Sequence, residues 1–257
     1  MGRMLLEVVQ SKEFDVSLGA ATVRPGSEWA GRNAAALTGG QPGNVTLCTD
    51  LAATTDIEVL IDFTLPEALL ANAKLCAERG TAVVIGTTGL TSVQQAELQA
   101  VTAGLAVCQA SNFSTGVNLA YRLLAQAAAV MGAESDIEII EAHHRNKLDS
   151  PSGTALAMGQ VVAETLEREL DEVALYGREG QTGVRDRNTI GFSTLRGGDV
   201  VGDHTVLFAS EGERLEITHK ASSRLAFARG AVRAAAWLAG RPPGRYDMQD
   251  VLGLKEN

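Results

Sequence analysis

Residues 141–154 read Glu141-Ala-His-His-Arg-Asn-Lys-Leu-Asp-Ser-Pro-Ser-Gly-Thr154 and hold the densest chemistry in the chain. A histidine titrates near neutral pH, so His143 or His144 can hand over a proton during turnover. Lys147 adds positive charge to the same stretch. Ser152, Gly153 and Thr154 lead into an apolar, alanine-containing run that reads as a helix. The first N–H groups of such a helix lack intrahelical partners, and with the Ser152 and Thr154 hydroxyls they suit a carboxylate. Together these residues describe a site for a small polycarboxylate that is protonated as it reacts. Each has a plainer use when taken alone: a core histidine, a solvated lysine, an ordinary helix cap. Their density argues for the site, because two of the four histidines of the chain fall in this one stretch.

The elements on either side must hold that stretch in place. Asp136 to Glu141 alternates in polarity and reads as a strand, and Gly153 to Glu169 reads as a helix. Ligands in α/β architectures sit at such strand ends. Upstream, strand and helix patterns alternate. Phe14 to Ala21 reads as a strand, then Val59 to Thr64, Ala82 to Thr88 and Leu105 to Ala110. Helices are expected over Pro66 to Arg79, with proline near its start and Gly80 past its end, and over Thr91 to Ala103. Strands this apolar are buried on both faces, which predicts a parallel, doubly wound sheet. Gly116 to Met131 is a long Ala- and Leu-rich helix. Downstream of the 141–154 stretch, strands follow one another at Thr189 to Leu195, Thr205 to Ala209 and Glu213 to His219, the pattern of an open mixed or antiparallel sheet. Arg224 to Ala239 is a final helix. The reading is α/β with two domains: residues 1–114 with 224–257, and an inserted domain over 115–223.

Bulk properties narrow the partners. The chain has 257 residues, 45% of them hydrophobic, and a net charge of −9. That acidity argues against a nucleic-acid partner. No apolar run is long enough for a bilayer, so no membrane partner is expected. The opening residues are too polar for a signal peptide, and a soluble, cytoplasmic protein is expected. Cys48, Cys76 and Cys108 fit no metal or disulfide spacing, which leaves no metal and three reduced thiols.

The motif Glu-x-His-His-x-x-Lys-x-Asp-Ser-Pro-Ser-Gly-Thr resembles the signature of the dihydrodipicolinate reductases, with Ser150 where the family usually has alanine. Further segments resemble the same family in the same order: Val84 to Gly89, Ala110 to Ser114, Gly177 to Gly183, Ile190 to Phe192, Gly202 to Thr205 and Thr218 to Arg224. The resemblance implies a Rossmann-like dinucleotide domain and an α+β domain for substrate binding and oligomerisation, in a cytoplasmic homotetramer. It implies reduction of a small cyclic dicarboxylate by NADH or NADPH in lysine and diaminopimelate synthesis. By motif match, His143 is the general acid and Lys147 its partner and carboxylate anchor. His144, Ser152, Gly153 and Thr154 hold the substrate. Gly86, Thr87 and Thr88, with Ala110, Ser111, Asn112 and Phe113, contact the dinucleotide. Two other readings remain: another NAD(P)-dependent oxidoreductase of the same two-domain plan, and a catalytically weak or non-catalytic homologue.

Two features depart from the family pattern. The chain opens Met1-Gly2-Arg3, which resembles the tail of the family's glycine-rich phosphate turn, so the first strand and most of that turn are missing. The expectation is a reading frame that begins upstream, leaving Met1 beside the dinucleotide. The sheet as written should have a gap where that strand belongs. The second departure is Val23-Arg24, where family members often place an acidic residue before the arginine. Without an acid for the ribose hydroxyls, Arg24 is left to pair with a 2′-phosphate, a lean towards NADPH.

Overall fold

The computed structural model describes residues 1–41 and 43–255. The chain divides into two compact units, Met1–Thr115 with Arg224–Asn257, and Gly116–Ser223. The first unit begins with α1 (Gly2–Gln10), β1 (Ala21–Thr22), β2 (Leu47–Cys48), β3 (Val59–Asp62), α2 (Pro66–Arg79), β4 (Ala82–Ile85), α3 (Ser92–Val101) and β5 (Ala106–Gln109). The second holds α4 (Thr115–Met131), β6 (Asp136–His143), α5 (Gly153–Thr165), α6 (Leu170–Val173), β7 (Ala174–Tyr176), β8 (Ile190–Arg196), β9 (Gly202–Ser210) and β10 (Glu213–Ala221). The chain then returns to the first unit with α7 (Leu225–Leu238), β11 (Gly244–Tyr246) and α8 (Met248–Val251).

The main sheet of the first unit is parallel, in the order β11-β5-β4-β3. Its strands are apolar without alternation because both faces are covered. Val83, Ile85 and Val107 pack under α2 and α3 with Leu69, Cys76 and Leu98. Val84, Ala106 and Cys108 point the other way, against Ala231, Ala234 and Leu238 of α7. Burial pushes the Cys76 thiol up to about 11 and the Cys108 thiol up to about 12, so both stay protonated at neutral pH. Helix α2 starts on Pro66 and stops at Gly80, which takes the left-handed conformation at φ 69°.

The expected strand over Phe14 to Ala21 is a correction. Only Ala21 and Thr22 form a ladder, with β2, in a separate two-stranded sheet. Residues 16–20 have no strand ladder among the described residues, so nothing holds them in a sheet. Among the described residues, strand β3 likewise pairs only with β4. The gap expected from the sequence is therefore present as a break between two parallel sheets. Helix α1 packs on α7 through Val8, Ala228 and Val232. The helix expected to run to Glu169 ends at Thr165, and a short separate turn, α6, follows.

The second unit is a five-stranded mixed sheet in the order β10-β9-β6-β8-β7. Strand β6 lies between β9, antiparallel, and β8, parallel. One face is packed by α4 and α5 through Ile137, Ile139, Ile190, Phe192, Val206 and Phe208. Among the described residues, no helix is long and apolar enough to cross a membrane.

Helix α7 also fixes the loop after β5. A side-chain carbon on Gly230 would collide with the Phe113 carbonyl oxygen. Gly230→Ala should lower stability by about 1–3 kcal/mol, the usual cost of overpacking, measured by urea unfolding. Unchanged stability would show that the loop yields without cost.

Candidate functional site

Strand periodicity assembles the site in the second unit. Side chains two apart on β6 share a face, so Glu141 and His143 continue the buried row of Ile137 and Ile139. Register then adds neighbours on the same face. Arg196 of β8 is paired with His143, and His204 of β9 is paired with Glu141. Four polar side chains thus meet at the end of β6 beside the N-terminus of α5.

Their bonds form one network centred on Glu141, which is 1% exposed. Its Oε2 lies 2.6 Å from His143 Nδ1 and accepts from Arg196 Nη1 at 2.8 Å. Its Oε1 accepts from Arg196 Nη2 at 2.8 Å and from the Ser152 N–H at 3.0 Å. Burial alone would raise the Glu141 carboxyl, but the bonds from Arg196, His143 and Ser152 outweigh it and hold the group below its ordinary range. For His143 burial is the larger influence and moves the ring below its ordinary value, against the opposing pull of Glu141. His204 is pushed down to about 4, first by burial and then by His143, so it is neutral at neutral pH. Its Nε2 is 2.9 Å from Ser152 Oγ. That oxygen also caps α5 by accepting from the Ala155 N–H at 3.1 Å.

The sequence-expected residues of this unit come together. His143 and Ser152 are buried, while Gly153 and Thr154 open α5. His144 follows the strand and is half-buried. Lys147 differs from expectation in one respect: its ammonium is held by both oxygens of Asp149, each at 2.9 Å. Arg196 also donates to the Asp149 carbonyl at 2.6 Å, tying the loop to β8. Glu141, Arg196 and His204 were given no role from sequence. Gly202 is a further member, since a side-chain carbon there would lie 3.0 Å from His143 Nε2. Glycine spares that nitrogen the crowding a side chain would bring.

In the first unit the expected cofactor residues cluster at the ends of β4 and β5. A side chain on Gly86 would run into the Phe63 ring, so glycine is required there. Thr87 turns inward: its one hydroxyl proton is shared between Asp62 Oδ1 at 3.0 Å and the Thr64 carbonyl at 3.1 Å. Thr88 and Ser111 are exposed. Asn112 Oδ1 accepts from the Ser114 N–H at 2.8 Å. Phe113 is buried at 1% exposure, with its ring against Phe63 and its carbonyl against Gly230, so it shapes the loop from within. Met1 precedes α1, whose N-terminus has no side-chain cap and no acidic residue in its first turn, a fit for a phosphate. Arg24 is exposed after β1. The residues present fit a dinucleotide: a strand-end glycine, exposed hydroxyls at Thr88 and Ser111, and an uncapped helix end.

Comparison with known proteins gives the family. The model of the dihydrodipicolinate reductase N-terminus matches residues 1–113, and that of the C-terminus matches residues 116–252. The chain belongs to the dihydrodipicolinate reductase family. A 4-hydroxy-tetrahydrodipicolinate reductase of Saccharophagus degradans is 58% identical over 99% of this chain and 95% of its own length. The reductase of that name from Acinetobacter baumannii is 54% identical over 100% of this chain and 93% of its own length. A dipicolinate-bound dihydrodipicolinate reductase from Paenisporosarcina shares the fold, with a TM-score of 0.72, 22% identity and coverage of 97% of this chain and 94% of that one.

Within this family member, Glu141 couples stability to pH. Its folded pKa lies below the ordinary 4.5. Its contribution is therefore complete above the unfolded value and is lost as pH falls through the folded one. Urea unfolding from about pH 6 to about pH 3 should show a shallower loss of stability for Glu141→Gln than for the wild type. Parallel curves would show that Glu141 contributes no such linkage.

Proposed function

We propose that this protein reduces 4-hydroxy-tetrahydrodipicolinate to tetrahydrodipicolinate with NAD(P)H. The observation that carries the reading is the buried His143, bonded through Nδ1 to Glu141, with Nε2 beside the gap at Gly202 and the N-terminus of α5 on the same network. The names of the full-length relatives support the same substrate.

NAD(P)H, when bound, supplies the hydride. His143 delivers the proton to the substrate from Nε2, the ring nitrogen not engaged by Glu141. The main-chain N–H groups of Gly153 and Thr154 and the Thr154 hydroxyl seat one carboxylate, helped by the positive end of α5. Lys147 exchanges Asp149 for the second carboxylate and opposes charge that builds up in the ring. His144 completes the substrate contacts. In the first unit, Gly86 to Thr88 and Ala110 to Phe113 would hold the dinucleotide, and Met1 and Arg24 would meet its phosphates. Arg24 without a preceding acid favours NADPH. The state expected is a homotetramer in the cytoplasm, and the face of the mixed sheet opposite α4 and α5, with Ile140 38% and Leu195 59% exposed, suits pairing.

Oxidation of NAD(P)H, followed with substrate made in situ from pyruvate and aspartate semialdehyde, tests the reading. His143→Ala should lower kcat by about 10²–10⁴-fold, with the fold checked by circular dichroism. Lys147→Ala should lower the rate and weaken dicarboxylate binding. A wild type with no turnover, or a His143→Ala variant with full turnover, overturns the assignment. The ratio of kcat/KM values should favour NADPH and should fall in Arg24→Ala; a clear preference for NADH contradicts the role of Arg24.

A further inference from the structure

The proton donor proposed above is held by an ion pair whose carboxylate, Glu141, is buried and whose guanidinium, Arg196, is partly exposed. Glu141 and Arg196 meet through two parallel bonds, Nη1 to Oε2 and Nη2 to Oε1, both at 2.8 Å. Such a fork fixes the plane of the carboxylate as well as its place. Each oxygen then has a second duty: Oε2 meets His143 Nδ1, and Oε1 accepts the Ser152 N–H ahead of α5. One oriented carboxylate therefore locates both the proton donor and the helix end that seats the substrate.

The titratable groups around His143 come from four places. Glu141 is on its own strand, Lys147 on the following loop, Arg196 on β8 and His204 on β9. Glu141 favours the imidazolium, whereas Lys147 and Arg196 oppose it. His204 stands edge-on, with ring centroids 5.1 Å apart, and is neutral. Glu141 is thus the negative group that opposes burial and two cations.

We propose that Glu141, oriented by Arg196, is a positioning residue that keeps the proton on His143 Nδ1, leaves Nε2 as the exchanging nitrogen and stabilises the imidazolium. The inference rests on the reading of His143 as proton donor, and the following test separates the two. Histidine ¹⁵N resonances of the ligand-free protein are titrated in the wild type, Glu141→Gln and Arg196→Gln, with His143 assigned by its loss in His143→Ala. Glu141→Gln should move the His143 midpoint down by about 1–3 pH units, the usual effect of losing an adjacent opposite charge. Arg196→Gln should move it up, because a cation is lost while the carboxylate remains. Glu141→Asp, which keeps the charge, should recover part of the shift. The alkaline limb of kcat/KM should move with the midpoint.

A His143 midpoint unchanged in both Gln variants, or moved in the same direction by both, overturns the proposal. So does a uniform loss of kcat with no shift, which marks a purely structural pair. If Glu141→Gln does not fold, the upward shift in Arg196→Gln carries the test. Midpoints that move as expected while the kcat/KM limb stays fixed support the role of Glu141 and remove His143 as the proton donor.

Discussion

The buried carboxylate of Glu141 is the constraint on which the rest of the site depends. A carboxylate this deeply enclosed must have partners for its charge, and removing one from a buried pair costs about 3–5 kcal/mol. Here the partners come from three places: Arg196 on β8, His143 on β6 and the Ser152 main chain before α5. Meeting the needs of one group therefore brings a histidine ring, a helix N-terminus and the end of β8 into fixed relation. The Asp149 carbonyl on Arg196 extends that hold to the loop carrying Lys147.

The two units solve different problems with different sheets. In the first, strands buried on both faces present main chain at their ends, where Gly86 permits close approach and Thr87 is locked to Asp62. In the second, a sheet covered by helices on one face leaves alternate residues for other uses. The covered face carries the apolar core and then, without changing face, the polar network. The site of the second unit is the continuation of its core row.

Much of this was legible in the sequence. Helix α2 is bounded as expected because Pro66 and Gly80 act locally through their own backbones. The 141–154 stretch is recognisable because its histidines, lysine and Ser-Gly-Thr lie close together in the chain. Arg196 was not legible: it lies far along the chain from Glu141, and only the β6–β8 register joins them. His204 fell in a segment noted for its resemblance, but its place beside Glu141 also comes from register. Phe14 to Ala21 has the composition of a strand, yet a strand needs a neighbour, and composition does not supply one. The short β11, after consecutive prolines, is held by pairing with β5 and gives little local signal. Inward rotation of Thr87 and Phe113 likewise depends on Asp62 and Phe63, brought up by the sheet.

The shared face of Glu141, His143, Arg196 and His204 also governs which insertions and deletions the chain can absorb. Strand side chains alternate, so a shift of one residue turns every following one to the opposite face. A single residue added within β8 ahead of Arg196 would turn the guanidinium away and leave Glu141 without its fork. Changes of one residue are thus excluded from β6, β8 and β9, whereas changes of two preserve the face and only move the contact along it. The turn over 197–201 and the connection over 177–189 lie outside the three ladders, and drift in chain length should accumulate there.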